Sequence, residues 1–106
     1  MNDEATADEL FALAGRAFAA PFSGVLRIEP EGEKAFFVDG RSAPPLALRE
    51  FAEFDLESAG CCALRARRDA LMRVLDGERQ FTSAFVSGRL VVAGDISVLA
   101  RVELGG

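Results

Sequence analysis

The sequence predicts an α+β domain in which a mainly antiparallel five-stranded sheet carries its helices on one face. Three observations predict it. Short alternating apolar segments at residues 25–29, 34–38 and 46–49 follow one another with only turn signals between them, as in an antiparallel meander. Further along, apolar residues recur at helical spacing in two runs, each stopped by a glycine, before alternation returns at Leu90 and Val92. Strands gathered early and helices gathered late bury their apolar faces most simply as helices laid on one side of a sheet. At 106 residues the chain is read as one domain, 1–106.

The elements follow in order. Thr6 with Glu9 reads as a capping box, in which each side chain satisfies the other's orphan backbone donor. Leu10, Phe11, Ala14, Ala17 and Phe18 then continue a first helix that Pro21 ends or follows. Gly15 in mid-helix points to close packing. Leu26 and Ile28 share one face of a first strand, Pro30-Glu31-Gly32 turns the chain, and Phe36 and Phe37 fall in a second. After Asp39-Gly40 and Pro44-Pro45, residues 46–49 make a third strand. Residues 50–59, with Phe51, Phe54 and Leu56, either extend it or form a covering loop. Residues 61–66 read as a fourth strand. Leu71, Val74 and Leu75 lie on one helix stopped by Gly77, and Phe81, Ala84 and Phe85 on another stopped by Gly88. A fifth strand carries Leu90 and Val92, and Asp95 caps a last short helix bearing Ile96, Leu99 and Ala100.

Composition narrows the function. Half of the residues are hydrophobic, and the nine Phe stand without Tyr or Trp, so every ring gains most from full burial or from an apolar ligand. Seventeen acidic against twelve basic residues give a net charge of −5, which works against nucleic-acid binding, where cations must neutralise phosphates. Arg65, Arg67, Arg68 and Arg73 are the local exception. Such a cluster is either a solvated face paired with Asp69, Asp76 and Glu78, or a transient membrane-surface contact through Arg65, Arg67 and Arg68. The acidic N-terminus lacks an apolar stretch and no run approaches the ~18 residues of a membrane span, so a cytoplasmic protein is expected.

Covalent chemistry has little to work with. There is no His, the serines have no recognisable base, and no phosphate-binding glycine loop is present. Cys61 and Cys62 match no zinc spacing. In an extended segment they point to opposite faces, so at most one joins the core, and a strained vicinal disulfide is not expected. The chain is therefore read as a non-enzyme, with no metal and no cofactor.

The second half carries a resemblance. Leu71, Leu75 and Gly77, then Phe81, Ala84, Phe85 and Gly88, then Leu90, Val92, Gly94 and Asp95 run in the order found in the sterol carrier protein-2 family. The similarity is clear over roughly the last third of the chain, and the first half agrees in element order. It departs from the family where Cys61, Cys62 and Leu64 stand in the fourth strand, and in its short terminal helix. The resemblance implies a sterol carrier protein-2-like fold that holds a lipid, sterol or other apolar ligand in a tunnel between sheet and helices. The apolar lining expected there is Phe36, Leu71, Leu75, Phe81, Phe85, Leu90, Val92 and Leu99, with Gly77 and Gly88 as hinges for entry. The alternative is a protein-interaction or homodimerisation module with a closed core and no ligand, which exposed Phe11, Phe18 or Phe22 would favour.

Overall fold

Alternation in strand β1 (Val25–Pro30) sets the layout of the molecule, because β1 occupies the middle of the sheet. The computed structural model describes residues 3–77 and 80–102, the side chains of 3–8, 81 and 82 excepted. β2 (Phe36–Asp39) returns antiparallel beside β1, and β3 (Leu46–Leu48) runs antiparallel beside β2. β4 (Cys61–Ala66) lies on the other side of β1, and β5 (Leu90–Gly94) pairs antiparallel with β4, giving the order β3-β2-β1-β4-β5. The meander expected for the first three strands is present. The sheet is nevertheless mixed, since β4 runs parallel to β1 from Val25↔Cys61 to Pro30↔Ala66. The connection after β3 carries the chain back to the start of β1, and only a long connection of this kind permits parallel pairing.

Strand register places Leu26 beside Val38 and Cys62, Ile28 beside Phe36 and Leu64, Leu64 beside Val92, and Ala66 beside Leu90. With a side-chain period of two, these residues form one continuous apolar face. Four helices among the described residues cover it: α1 (Asp3–Ala17), α2 (Arg68–Leu75), α3 (Phe81–Val86) and α4 (Ser97–Arg101). Leu10, Leu13, Ala14 and Ala17 of α1, Leu71, Val74 and Leu75 of α2, Ala84 of α3 and Val98 of α4 join the sheet residues in one buried cluster. No polar or charged residue is buried among the described residues. Each large apolar side chain fully removed from water there contributes about 1.5–3 kcal/mol.

Several expectations are corrected. α1 already includes Asp3, so Thr6 lies inside the helix and does not cap its start. Gly15 is exposed and an added Cβ would make only an ordinary contact, 3.6 Å from the Ala47 Cβ, so close packing does not account for this glycine. Phe18 and Phe22 are buried and Phe11 is half-buried against Phe36, at 5.3 Å between ring centres, so these rings do not form an exposed interaction surface. Gly40 admits the Phe22 ring, since a Cβ at position 40 would lie 2.4 Å from it. Residues 50–59 form no strand. They turn over the outer face of the sheet, where Phe54 and Phe51 lie 5.4 and 6.1 Å from Phe37. That cover reaches the start of β4: Cys62 points into the helix-side core as expected, but Cys61 is buried as well, on the opposite face.

Candidate ligand site between the sheet and the helices

The interlayer is assembled from alternate residues of β1, β2, β4 and β5 and the inward stripes of α1 and α2. Of the residues expected to line it, Phe36, Leu71, Leu75 and Leu90 meet in the buried cluster. Val92 and Leu99 pack against that cluster at its margin and keep part of their surface in solvent. Phe85 stands apart, with 52% of its surface exposed. The side chain of Phe81, the first residue of α3, lies outside the described residues. Helical spacing groups Phe85 with Ala84, yet only Ala84 turns inward. One residue is a 100° step around a helix, and in six residues the small Ala84 suffices to seat α3 while Phe85 rotates to its flank.

α3 is bounded by two glycines in the left-handed region, Gly77 at φ +85° and Gly88 at φ +78°. At Gly88 the chain closes a Schellman turn, in which the Arg89 N–H donates to the Ala84 carbonyl at 2.9 Å. An added Cβ at either glycine would meet nothing within 4 Å, so what each supplies is backbone freedom. The segment that covers the β5 side of the layer is therefore short, follows one left-handed glycine, ends at another and is apolar on its exposed flank.

Asp95 closes the far end of the layer. One carboxylate oxygen accepts the Gly60 N–H at 2.7 Å, and the other accepts the Ser97 N–H at 3.1 Å and the Ser97 hydroxyl at 2.5 Å. Its own N–H donates to the Cys61 carbonyl at 2.9 Å. The Ser97 hydroxyl, followed by the Gly60 N–H, holds this carboxyl below the usual carboxylate range. Ile96, not Asp95, takes the N-cap position of α4, and Asp95 instead ties the start of β4 to the end of β5 and the start of α4. Arg101 of α4 adds a second tie, donating to the Phe22 carbonyl at 2.9 Å. Burial pushes the Cys62 thiol up to about 11, with the Asp95 charge adding to the effect, so it stays protonated and unreactive at neutral pH. Both cysteines are free, and no cluster of metal-ligating groups occurs among the described residues.

Among the described residues, two of the four arginines of the basic cluster form ion pairs. Arg68 forms a two-pronged pair with Glu33, its Nε at 2.9 Å from the carboxylate, and Arg65 lies 3.6 Å from Glu29. The acids that meet these two arginines come from β1 and the turn after it, whereas sequence proximity pointed to Asp69, Asp76 and Glu78. Arg67 lines a cleft of about 300 Å³ with Glu31, Asp69, Ala70, Gly88 and Arg89. A shallow groove of about 610 Å³ opens on the outer face beside Phe37, Phe51, Arg27, Lys34 and Arg49. Neither includes a residue of the expected apolar lining. No helix among the described residues is long and apolar enough to cross a membrane.

Comparison with known proteins agrees with this architecture. The sequence profile of the SCP-2 sterol transfer family matches residues 7–103. Among solved structures, a protein described as UbiJ-SCP2, a ubiquinone synthesis protein, superposes with a TM-score of 0.58 at 25% identity, over 92% of this chain and 88% of that one. Sterol carrier protein-2 like-3 from Aedes aegypti gives 0.58 at 13% identity, over 94% and 92% of the two chains. Sterol carrier protein 2 from Yarrowia lipolytica gives 0.52 at 16% identity, over 94% and 81%. At these lower identities the last two establish the shared fold. No curated protein sequence matches the chain.

Proposed function

The chain belongs to the SCP-2 sterol transfer family, a family of sterol and lipid binding or transfer, and from that premise we propose that it holds one apolar ligand between its sheet and its helices without transforming it. The observation that carries the reading is the interlayer itself. Phe36, Leu71, Leu75 and Leu90 form an apolar floor and roof with no buried polar or charged residue among the described residues, and Val92 and Leu99 lie at a partly open margin. Phe85, exposed on the flank of α3, joins that lining only when α3 moves. An acyl or prenyl chain entering there would gain about 0.8 kcal/mol per CH2 taken from water. Because the layer is well packed, entry needs α3 to swing outward about Gly77 and Gly88, carrying Phe85 from solvent onto the ligand. The absence of His from the chain and the protonated Cys62 support binding without catalysis.

The ligand class follows from chemistry that an apolar slot accepts: fatty acids, sterols, phospholipid acyl chains and polyprenylated rings. The 25% identical ubiquinone synthesis protein supports including ubiquinone in that set. The test is native mass spectrometry of the purified protein, as isolated and after incubation with oleate, cholesterol, a phospholipid and ubiquinone, with hydrogen exchange of α3 read in parallel. A one-to-one adduct accompanied by slower exchange over residues 81–88 is expected. A mass that remains free of lipid under every condition, or binding that leaves α3 exchange unchanged, contradicts the reading.

A further inference from the structure

We propose that the outer edge of β5 is a self-association surface, which joins two copies of this chain through an antiparallel β5–β5 pair into one continuous ten-stranded sheet. β5 is bonded to β4 on one side and has no strand on the other among the described residues. Its five residues, Leu90–Gly94, carry no charge and no proline, so the edge lacks the usual devices that discourage pairing. Apolar surface gathers at the same place. Of the six large hydrophobic residues exposed among the described residues, Phe85 (52%), Val86 (78%), Val91 (59%) and Ile96 (60%) all fall in the segment that contains β5 or borders it. α3 packs along β5 on the helix side, whereas Val91, paired opposite Arg65, lies on the outer face. A strand added here would therefore find apolar contacts on both faces of the sheet.

Charge placement selects the second copy as the occupant. Arg89 and Asp95 bracket the strand, each three residues from Val92. A two-fold axis through Val92 sets Val92 against Val92, Val91 against Ala93, and Arg89 of each copy against Asp95 of the other. Arg89 is exposed and forms no ion pair among the described residues. The Asp95 carboxylate uses three acceptor positions on Gly60 and Ser97, which leaves it room for a further donor. A bilayer would cover Phe85 and Val86 but offers nothing to the N–H and C=O groups of an open strand edge, which the hydrocarbon region does not tolerate. The inference shares Val92 and the Phe85 flank of α3 with the proposed ligand site but rests on the open backbone edge of β5, so it does not depend on whether a ligand is bound.

The test is sedimentation of the intact chain over a wide concentration range, with vesicles of anionic phospholipid as a separate arm. A species of twice the 11.3 kDa chain mass is expected. Arg89→Glu, which sets like charges opposite each other at both ends of the pair, should weaken association by about tenfold or more, and Val91→Lys should weaken it further, with circular dichroism of both variants unchanged. Val92→Cys reads the register. Cys61 and Cys62 are buried, so an intermolecular disulfide formed by Val92→Cys and not by Val91→Cys places the axis at Val92. A monomer up to millimolar concentration overturns the proposal, whether or not it binds vesicles. So does a dimer indifferent to Arg89→Glu and Val91→Lys.

Discussion

The two faces of the sheet differ in what covers them, and the difference separates an apolar layer from a charged one. The helix-side face presents Leu26, Ile28, Phe36, Val38, Cys62 and Leu64, all 3% exposed or less, under four helices. The outer face presents Arg27, Glu29 and Arg65, joined by ion pairs at 3.2 and 3.6 Å, and beside them one aromatic cluster, Phe37 with Phe51 and Phe54, under a loop. The same strands make both faces, so period-two alternation alone decides which side receives helices and which meets water. Under the proposed function, a long apolar chain would meet only apolar side chains on the first face. On the second it would have to desolvate an ion-paired network, at a cost that apolar burial does not offset.

Mutation should reproduce this ranking. The largest loss is expected from Leu64→Ala on the helix side, where the side chain is wholly buried: about 2–5 kcal/mol by chemical denaturation, as for other cavities left in a packed core. On the outer face Phe54→Ala removes a half-buried ring that leans on Phe37, and should cost about 1–2 kcal/mol while leaving lipid uptake intact. Asp95 ties the two regions together at the end of β5, and its effect is best read with pH. Its carboxyl is held below the ordinary value of 3.8, so the stability it contributes is fully present above that value and is lost as pH falls through the lowered folded value. The acid side of the stability profile should therefore flatten in Asp95→Asn, and an unchanged acid slope would show that the Gly60–Asp95–Ser97 tie contributes nothing. The smallest effect is expected from Arg65→Ala. The side chain is 65% exposed and its pairing with Glu29 is long, so thermal unfolding should register about 0–1 kcal/mol, falling further in high salt.

Much of this asymmetry was legible in the sequence. Leu26 alternating with Ile28, Leu71 spaced from Val74 and Leu75, and the Gly-Asp stop after Val92 each set a local conformation that the fold keeps, and the last third of the chain carried the family resemblance correctly. What was not legible depends on distant partners. The parallel pairing of β1 with β4 is decided by the path of residues 49–60, which have no periodicity of their own. The partners of Arg65 and Arg68 come from the neighbouring strand β1 and the turn after it, distant in sequence and beyond the reach of arguments from adjacent charges. Phe85 shows the limit of helical spacing: on a six-residue helix, Ala84 and Phe85 fit the apolar stripe equally well, and packing admits only the smaller. The free edge of β5 could not be read before strand order was known, since any of the five strands might equally have been internal by its sequence.

The most direct test of an interlayer ligand is to photocrosslink a fatty acid carrying a diazirine near the end of its chain, and to map the labelled peptides. Label on residues 71–75, 81–92 and 99, competed away by unlabelled lipid, is the expected result. Label confined to residues 37–54 of the outer face, or spread evenly and insensitive to competitor, would contradict a ligand held between the sheet and the helices.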